Sequence, residues 1–478
     1  MSPQRTSRTP RRRYHLQRLW LLLLCVSGLL ACATPTRQEI RLEAYSWWTQ
    51  TSEQHAFDSV LELYNHANEG HSEADQVTGD INADEVRATL TARLLAGAPP
   101  STFQANAGAD LLRWTAMDTT DRVLDSSSRI DPLTDLFERV RLGPGVLPEA
   151  LDKAVRAGPD RLPYAVPLNI HRLNVIYYNT NALEEYARQH GGESFLKFAQ
   201  LCPTDVATRL DHPDQKLDLE IAVGTKNSFA LTLLTFENLL PAVASQGAYS
   251  GASGGTLYDE LFTGSLPESQ WHDPVLLALQ CVQYLSRSFL RNEDLSWADA
   301  LHRVETGEAA FSVMGDWANG ELRDALETFT VDAQPFPGSE DTFVFTSDTF
   351  PLPGAAPHRK ESEDLLEMLA SPEAQRVFSQ EKGSIPARWD IPPDEFKKLG
   401  ERARQTRDDF ASSAIHKSIA TSGLFPPYFP DDLSTKLSAM TAEDASKDSI
   451  QSVIDFLRDM QPLLGLWQDR IRTGQQAP

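Results

Sequence analysis

The sequence predicts an α/β protein of more than one domain, and three observations lead to this fold class. Residues 40–114 alternate between strand-like and helically spaced segments, which is typical of a largely parallel sheet covered by helices. The stretch 163–179, PYAVPLNIHRLNVIYYN, is rich in β-branched and aromatic residues and is predicted to cross between two lobes. A chain of 478 residues also exceeds one ordinary hydrophobic core, so two or three domains are expected.

The individual elements follow from local patterns. Residues 40–45 alternate apolar and polar and are predicted to form the first strand, whereas 53–67 carry apolar residues at helical spacing. Residues 68–80 are polar, contain glycine and are predicted to form a loop. The later predictions are helices at 84–94, 181–189, within 225–244, 274–290 and 297–304, strands at 102–104, 309–315, 331–337 and 343–350, and a mostly helical region from 361 onward.

The crossing stretch has an unusual polar pattern. Pro167 removes one backbone donor in its middle, which predicts a strand that stops, crosses over and restarts. Four polar residues are threaded through its apolar positions: Asn169, His171, Arg172 and Asn174. Two interpretations remain open, namely that these side chains line a cleft or that they form the solvated face of a half-exposed strand.

The N-terminus has the pattern of an export signal. Residues 1–18 contain six arginines and no acidic residue, and an apolar run from Leu19 to Leu30 follows that is too short for a comfortable transmembrane helix. The run ends in Leu-Leu-Ala-Cys, which resembles the bacterial lipobox, so we expect residues 1–31 to be removed and Cys32 to be lipidated. The alternative is an ordinary cysteine within the apolar segment. Residues 32–37 would be a tether holding an exported protein to the periplasmic or outer face of a bacterial membrane, with no other membrane contact.

Charge and cysteine content narrow the function. The net charge is −23, and loss of the arginine-rich leader would make it more negative, which disfavours a nucleic-acid partner and an anionic substrate unless a local pocket differs from the surface as a whole. Cys202 and Cys281 remain after the leader, and their pairing is left open.

Catalytic and metal-binding motifs give no support for an active site. There is no HExxH, CxxC or Walker-type motif, and the 11 histidines are scattered. The GxSxG match at 251–255 lies in a Ser/Gly-rich run with no predicted strand before it. A carboxylate pair for sugar hydrolysis is not excluded by counting, but no pair stands out. We therefore expect neither an enzyme nor a cofactor or metal.

Aromatic residues at predicted strand ends occur beside polar partners. Flat rings pack on the C–H faces of a pyranose, while carboxylates and amides bond to its hydroxyl groups, so this combination indicates binding of a neutral polyol. The residues concerned are Trp47 and Trp48 with Glu53, Gln104 with Asn106, Asp316 and Trp317 with Asn319, and Asp348.

Six collinear motifs between residues 40 and 390 carry a family resemblance. They are SWWT with Glu53, AGAPPSTFQ at 96–104, VPLNIHR at 166–172 through Tyr178-Asn179, MGDWANGE at 314–321, FVFTSDTF at 343–350 and KGSIPAR at 382–388. Together they resemble the extracellular solute-binding proteins of bacterial ABC sugar importers, in particular the glucose/mannose-binding branch.

The resemblance implies a two-lobe periplasmic-binding-protein architecture with a hinge, a ligand cleft between the lobes and delivery of the ligand to ABC permease subunits. Lobe 1 is expected at 38–164 plus 307–347, and lobe 2 at 165–306 plus 348–478. Trp47 and Trp48 would stack on a sugar, Glu53 and Asp316 would accept from hydroxyl groups, and Trp317 would shape the wall. His171 and Lys382 are further candidates, and a monomer is expected.

Two departures fall in the expected pocket. Asn106 stands where family members often have a histidine, and the run 225–229 replaces a Pro-Trp platform, so that Phe229 is the candidate for the missing ring. A glucose- or mannose-like hexose is thus an expectation within a class of neutral sugars. The alternatives are a sugar-active enzyme and a sensor or scaffold lipoprotein that no longer serves transport.

Overall fold

The computed structural model describes most of the chain beyond the predicted leader and tether. The described residues are 39–78, 83–115, 129–156, 158, 160–211, 228–230, 232–248, 257–262, 264, 266–286, 297–425, 428–442, 445 and 448–473. The predicted signal peptide, tether and lipidated Cys32 lie outside them. No helix within these ranges has the length and apolar character needed to cross a bilayer.

The strands are β1 (Ile40–Ser46), β2 (Ser72–Thr78), β3 (Thr102–Phe103), β4 (Ala105–Asn106), β5 (Ile130–Asp131), β6 (Ala165–Pro167), β7 (Asn169–Arg172), β8 (Val175–Asn179), β9 (Ser228–Ala230), β10 (Phe311–Val313), β11 (Val331–Pro335), β12 (Thr342–Thr346), β13 (Asp348–Pro353), β14 (Ile385–Pro386) and β15 (Ala414–Lys417).

The helices are α1 (Thr51–Ala67), α2 (Ala83–Leu95), α3 (Ala109–Leu112), α4 (Thr134–Arg139), α5 (Glu149–Val155), α6 (Thr180–Gln189), α7 (Phe198–Leu201), α8 (Val206–Leu210), α9 (Thr232–Val243), α10 (Leu257–Leu261), α11 (Glu268–Ser286), α12 (Trp297–Glu305), α13 (Ala318–Glu321), α14 (Arg323–Glu327), α15 (Arg359–Leu369), α16 (Pro372–Lys382), α17 (Pro393–Phe396), α18 (Gly400–Ser412), α19 (Tyr428–Met440) and α20 (Ser449–Thr473).

Lobe 1 is built on a parallel sheet in the order β2-β1-β3. β1 pairs with β2 along its whole length and with β3 at its carboxyl end. Helix α1 packs against this sheet and against α16, which comes from much later in the chain. The core between them is largely aromatic and contains Trp48, Phe57, Phe350 and Phe378.

Lobe 2 is built on a mixed sheet in the order β11-β8-β10-β9. β8 runs antiparallel to β10 and β11, and β9 runs parallel to β10. Helices α9, α11, α19 and α20 pack against one another and complete the lobe's core. A disulfide between Cys202 and Cys281 links the end of α7 to α11, which resolves the pairing that the sequence left open.

The crossing stretch connects the two lobes as predicted. β6 ends at Pro167 and pairs with β13, and after Leu168 the chain restarts as β7, which pairs with β12 and β14. β8 then enters lobe 2. The four polar residues between 169 and 174 are all buried, with at most 4% exposure, so the solvated-face interpretation is wrong.

The segments that make up each lobe differ from the predicted boundaries. β10 and β11 pair with β8, and Phe311 and Val331 lie in the core of lobe 2, so 307–336 does not belong with lobe 1. β13 pairs with β4, β5 and β6, and the helices from 359 to 382 pack into the core of lobe 1. The predicted memberships of these two segments are therefore exchanged.

One loop prediction is also wrong. Residues 72–78 form β2, an edge strand of lobe 1, although the segment SEADQVT is strongly polar. Ser72 and Ala74 face the core, while most of the other side chains are partly or fully exposed. An edge strand tolerates polar residues because it is covered by a neighbouring strand on one side only.

Candidate functional site

The polar side chains of the crossing stretch meet others from both lobes around His171. We call the set Gln104, Asn169, His171, Asp316 and Asp348 the His171 cluster. His171 hydrogen-bonds Asp316 through Nδ1, and its Nε2 lies 3.3 Å from Asp348 Oδ2. All five side chains are buried, with exposures of 5% or less.

The electrostatics of the cluster favour a charged histidine. Burial alone would lower the pKa of His171, but the Asp316 and Asp348 carboxylates outweigh it and raise this pKa above its ordinary value of 6.5. For the Asp348 carboxyl, burial alone would raise the pKa, yet the positive charges of His171 and Lys382 hold that pKa below 3.8. An imidazolium between two carboxylates is the arrangement that both shifts describe.

Asp348 is fixed by lobe 1 and by the crossing stretch. Gln104 donates from Nε2 to Asp348 Oδ1 at 2.7 Å, and its Oε1 accepts from the backbone N–H of Trp47 at 3.2 Å. Asn169 donates to Asp348 Oδ2 at 2.9 Å and accepts from the Asp348 backbone N–H at 3.0 Å. These bonds fix the positions of the end of β1, the start of β4 and the two crossing strands relative to one another.

Asp316 comes from lobe 2 and reaches the same point. The Arg172 backbone N–H donates to Asp316 Oδ2 at 3.0 Å, and the Asp316 N–H donates to the Arg172 carbonyl at 2.8 Å. The neighbouring Trp317 ring stands edge-on to His171, with centroids 5.7 Å apart. Gly315 permits this turn, because a Cβ there would lie 2.1 Å from the Trp317 ring.

A second charged pair lies beside the cluster. Lys382, at the end of α16, and Glu53, in the first turn of α1, form a buried ion pair with exposures of 1% and 8%. The Lys382 ammonium also lies 5.7 Å from the centre of the Trp48 ring. Lys382 therefore lies beside the His171 cluster, with Glu53 as its partner.

The two tryptophans occupy different environments. Trp48 is 1% exposed and packs against Phe57, Phe350 and Phe378 at centroid distances between 5.0 and 5.9 Å. This position differs from the predicted stacking platform, because the core of lobe 1 and the Lys382 ammonium cover the indole. Trp47 is half-buried, and the Arg87 guanidinium lies 5.1 Å from its ring centre.

The other predicted residues lie around this centre. Asn319 accepts from the Tyr177 hydroxyl at 2.8 Å and donates to the Gly383 carbonyl at 3.0 Å. Asn106 is paired with Asp348 in the β4–β13 ladder and accepts from Thr346 Oγ1 at 3.4 Å. The backbone of Phe229 lies in β9, opposite Ser312 of β10, but its side chain is outside the described residues.

The lobes touch across the site at two helix ends. Glu321 of lobe 2 accepts from the backbone N–H and the hydroxyl of Ser52, in the first turn of α1, at 3.0 and 2.5 Å. Arg323 donates to the carbonyls of Gln380 and Glu381, in the last turn of α16, at 2.9 and 2.8 Å. We call Glu321 and Arg323 the closure pair, because they join the lobes in a closed arrangement.

Sequence reasoning offered Asn169 only as one of four polar residues that could line a cleft, and it missed the closure pair. Asn169 was visible as a polar residue within an apolar crossing, but its partner Asp348 is 179 residues away. Glu321 lies in one of the six family motifs but was given no role, and Arg323 lies outside those motifs. No group of three or more His, Cys, Asp or Glu side chains in the described part of the chain is arranged to hold a metal ion.

Comparison with known proteins identifies the family. The model of the bacterial extracellular solute-binding protein family matches residues 76–404, more than half of the chain. The chain belongs to this family. The prediction of a two-lobe periplasmic-binding-protein fold is confirmed. The expectation that the chain is not an enzyme is also confirmed, since its relatives are solute-binding proteins of ABC transporters.

Relatives of this solute-binding protein span most of its length. An uncharacterized ABC transporter extracellular-binding protein of Pyrococcus horikoshii is 28% identical over 92% of this chain and 93% of its own. The xylose/arabinose-binding protein XacG of Haloferax volcanii is 25% identical over 80% of this chain and 77% of its own. Among solved structures, the bacterial solute receptor AcbH superposes with a TM-score of 0.66 at 14% identity, covering 89% of this chain and 99% of AcbH.

Proposed function

We propose that this solute-binding protein captures a neutral sugar between its lobes and delivers it to the permease of an ABC transporter. The observation that carries the proposal is the His171 cluster, in which polar groups from both lobes and from the crossing strands converge on one buried point. A ligand that bonds to both Asp348 and Asp316 contacts both lobes. Because it makes these contacts together only when the lobes are close, its binding favours the closed state over the open one.

The charges of the site support an uncharged ligand. His171 offsets one of the two charges of Asp316 and Asp348, and Lys382 balances Glu53, so these five groups carry one net negative charge, which disfavours an anionic guest. Hydroxyl groups donate to carboxylates and accept from amides and ammonium groups, so a polyol can replace some of these internal bonds. The Trp317 ring beside His171 supplies an apolar wall for the C–H face of a sugar.

The names of the relatives agree with this ligand class but differ in the sugar. XacG is named for xylose and arabinose, and a glucose-binding protein, GlcS of Saccharolobus solfataricus, is 20% identical over 71% of this chain. We propose a glucose- or mannose-like hexose, on the motifs shared with that branch, with Trp47, Trp317 and Phe229 as its stacking groups. Its polar contacts would be Asp316, Asp348, Gln104, Asn106, Asn319, Glu53 and Lys382.

Calorimetric titration of a chain beginning at Thr34 with pentoses, hexoses and disaccharides tests the ligand class. We expect saturable binding of one neutral sugar at micromolar concentration and a large loss of affinity in Asp316→Ala, which removes the lobe 2 acceptor. Glu308→Gln is the matched control, since Glu308 is an exposed carboxylate of lobe 2 that pairs with Arg303. No binding across the panel, or equal binding by both variants, would contradict the proposal.

We also propose that the protein is held at the membrane by a lipid on Cys32, as its leader sequence indicates. Expression of the full chain should give a protein that partitions into detergent, and Cys32→Ala should give one that does not. Mass spectrometry of the mature N-terminus identifies the modification. An unmodified Cys32 in a processed or unprocessed chain would contradict this part of the proposal.

A further inference from the structure

A cavity lies where the loop after β15 meets lobe 1, apart from the His171 cluster. It has a volume of about 440 Å³, and its charged lining consists of Lys153, Arg161 and Lys417. Ala109 and Leu112 of α3 form part of its apolar wall. None of the residues of the His171 cluster contributes to this lining. We call this cavity the basic pocket.

Lys417 is held rigidly at the edge of the pocket. Its strand β15 pairs with β12, with Phe345 opposite Lys417, and its carbonyl accepts from the Tyr258 hydroxyl at 2.9 Å. The residues on either side point away from the pocket, since His416 bonds to Asp259 and Ser418 bonds to Glu237. Because side chains alternate along a strand, Lys417 faces the opposite way, into the cavity.

Two of the three positive charges of the pocket are not balanced within the described structure. Lys153 pairs at 2.5 Å with Glu149 on the surface of α5. Neither the Lys417 ammonium nor the exposed Arg161 guanidinium has a carboxylate or other hydrogen-bond acceptor among the described residues. Burial, and next the nearby charge of Arg161, lower the pKa of Lys417, while Asp259 only partly opposes them.

This arrangement is costly unless an anion completes it. Lys417 is partly buried, and the charge of the exposed Arg161 nearby disfavours its ammonium. Among the described residues no acceptor compensates the ammonium for its loss of water. The whole chain has a net charge of −23, so a concentration of unpaired positive charge is contrary to its general composition. Arrangements that cost stability in this way are expected mainly at functional sites.

We propose that the basic pocket binds a small organic anion through a phosphate or carboxylate group. Arg161 offers a planar guanidinium fork that matches such a group, and Lys417 adds a point charge at a fixed position. The volume exceeds that of the anionic group alone, and the apolar wall formed by Ala109 and Leu112 suits the carbon skeleton attached to it. This binding is separate from capture of a neutral sugar at the His171 cluster.

The test is calorimetric titration of the chain beginning at Thr34 with inorganic phosphate, glucose 6-phosphate and gluconate at constant ionic strength. We expect saturable binding of at least one of them, weakened about tenfold or more in Lys417→Met and in Arg161→Gln. Comparison of the phosphate and carboxylate probes identifies the anionic group. Lys197→Met is the matched control, because Lys197 is an exposed lysine paired with Glu193 and should leave anion binding unchanged.

Thermal unfolding distinguishes the loss of the anion site from a general loss of structure in a variant. The bound anion should raise the melting temperature of the wild type and of Lys197→Met but not of Lys417→Met, whose own melting temperature should not fall, since the unbalanced charge is removed. Absence of saturable binding by all three probes, or equal binding by the pocket variants and the wild type, would overturn the proposal. Neutral-sugar affinity is measured in parallel and should be the same in all these variants.

Discussion

The buried imidazole of His171 is stabilised by carboxylates that come from two different parts of the chain. Asp316 lies beyond β10 of lobe 2, and Asp348 begins β13 of lobe 1, so the histidine experiences their charges together only when the lobes are assembled. Both pKa shifts follow from this geometry, because each charged partner favours the ionised form of the other. The stability of the protein should therefore depend on pH through this cluster.

Replacing His171 with Gln is expected to lower the free energy of unfolding most between about pH 4 and about pH 6.5. The folded-state pKa of His171 is raised, so its contribution is complete below 6.5 and is lost as the pH rises through the raised value. The pKa of Asp348 is lowered, so its contribution is present above 3.8 and is lost as the pH falls through the lowered value. Urea unfolding of both proteins at a series of pH values measures this difference.

His302→Gln is the control for this prediction. His302 is an exposed histidine on α12 that pairs with Glu305, and its replacement should change the free energy of unfolding little at any pH. A His171→Gln difference that grows above pH 7 would show that the histidine is buried in its neutral form and would contradict the charged arrangement.

Trp47 and Trp48 should respond differently to truncation although they are adjacent. Trp48→Ala removes a 1% exposed ring from contact with three phenylalanines and should lower the free energy of unfolding by about 3–5 kcal/mol. Trp47→Ala should cost less stability, because that ring is half-buried, and should weaken sugar binding if it contacts the ligand. Urea unfolding and calorimetry on the same samples separate the two effects.

At the scale of elements, local pattern was enough to predict β1, the helix after it and the crossing stretch. It was not enough for β2, because Ser72–Thr78 owes its strand conformation to pairing with β1 along its full length, not to its own polar sequence. The lobe memberships of 307–336 and 348–382 depend on pairings such as Phe311 with Tyr178 and Asp348 with Asn106. Such partners are distant in sequence, and no periodicity within a segment encodes them.

The closure pair satisfies helix ends that belong to the other lobe. The N-cap residue of α1, Gln50, makes no side-chain capping bond, and Glu321 reaches the first turn of that helix instead. Arg323 reaches the last-turn carbonyls of α16. An acid at a helix N-terminus and a base at a C-terminus are each favoured by the backbone groups exposed there.

Glu321→Gln combined with Arg323→Gln should weaken sugar binding by about threefold to tenfold, because closure then forms fewer bonds between the lobes. The variant should retain the stability of the separate lobes, since neither side chain lies in a hydrophobic core. Calorimetric titration measures the affinity, and Arg303→Gln with Glu308→Gln is the control, as that exposed pair lies within lobe 2 alone. Unchanged affinity in the closure-pair variant would show that these contacts do not contribute to closure.

The disulfide between Cys202 and Cys281 should contribute about 4 kcal/mol to the free energy of unfolding, because it closes a segment with a sequence separation of 79. The loss should appear in Cys202→Ala with Cys281→Ala, and in the wild type after reduction. Both residues lie in the core of lobe 2, so sugar affinity should be unchanged under conditions in which the protein remains folded. Equal unfolding midpoints with and without a reductant would contradict the prediction.

At the scale of the whole molecule, the opposing surfaces of the lobes form direct bonds with each other. Ser52, Asn319 and Arg323 each donate across the cleft, and β6–β7, β12–β13 and β15 connect the lobes behind it. Direct bonds between the lobes stabilise the closed arrangement, and a sugar that bonds to both lobes would stabilise it further. The unliganded protein should therefore populate both closed and open states, and a sugar should shift that equilibrium.

Spin labels at Lys360→Cys and Arg188→Cys should reveal this equilibrium by pulsed electron resonance. Both side chains are exposed, Lys360 on α15 of lobe 1 and Arg188 on α6 of lobe 2, and in a chain beginning at Thr34 the two native cysteines are consumed by the disulfide. We expect two inter-label distances without ligand and the shorter one alone with sugar. Adding Glu321→Gln and Arg323→Gln should favour the longer distance without sugar and enlarge the response to it. A single distance that neither sugar nor the closure-pair variant changes would mean that the lobes are rigidly joined, and hinge closure would have to be abandoned as the mechanism of capture.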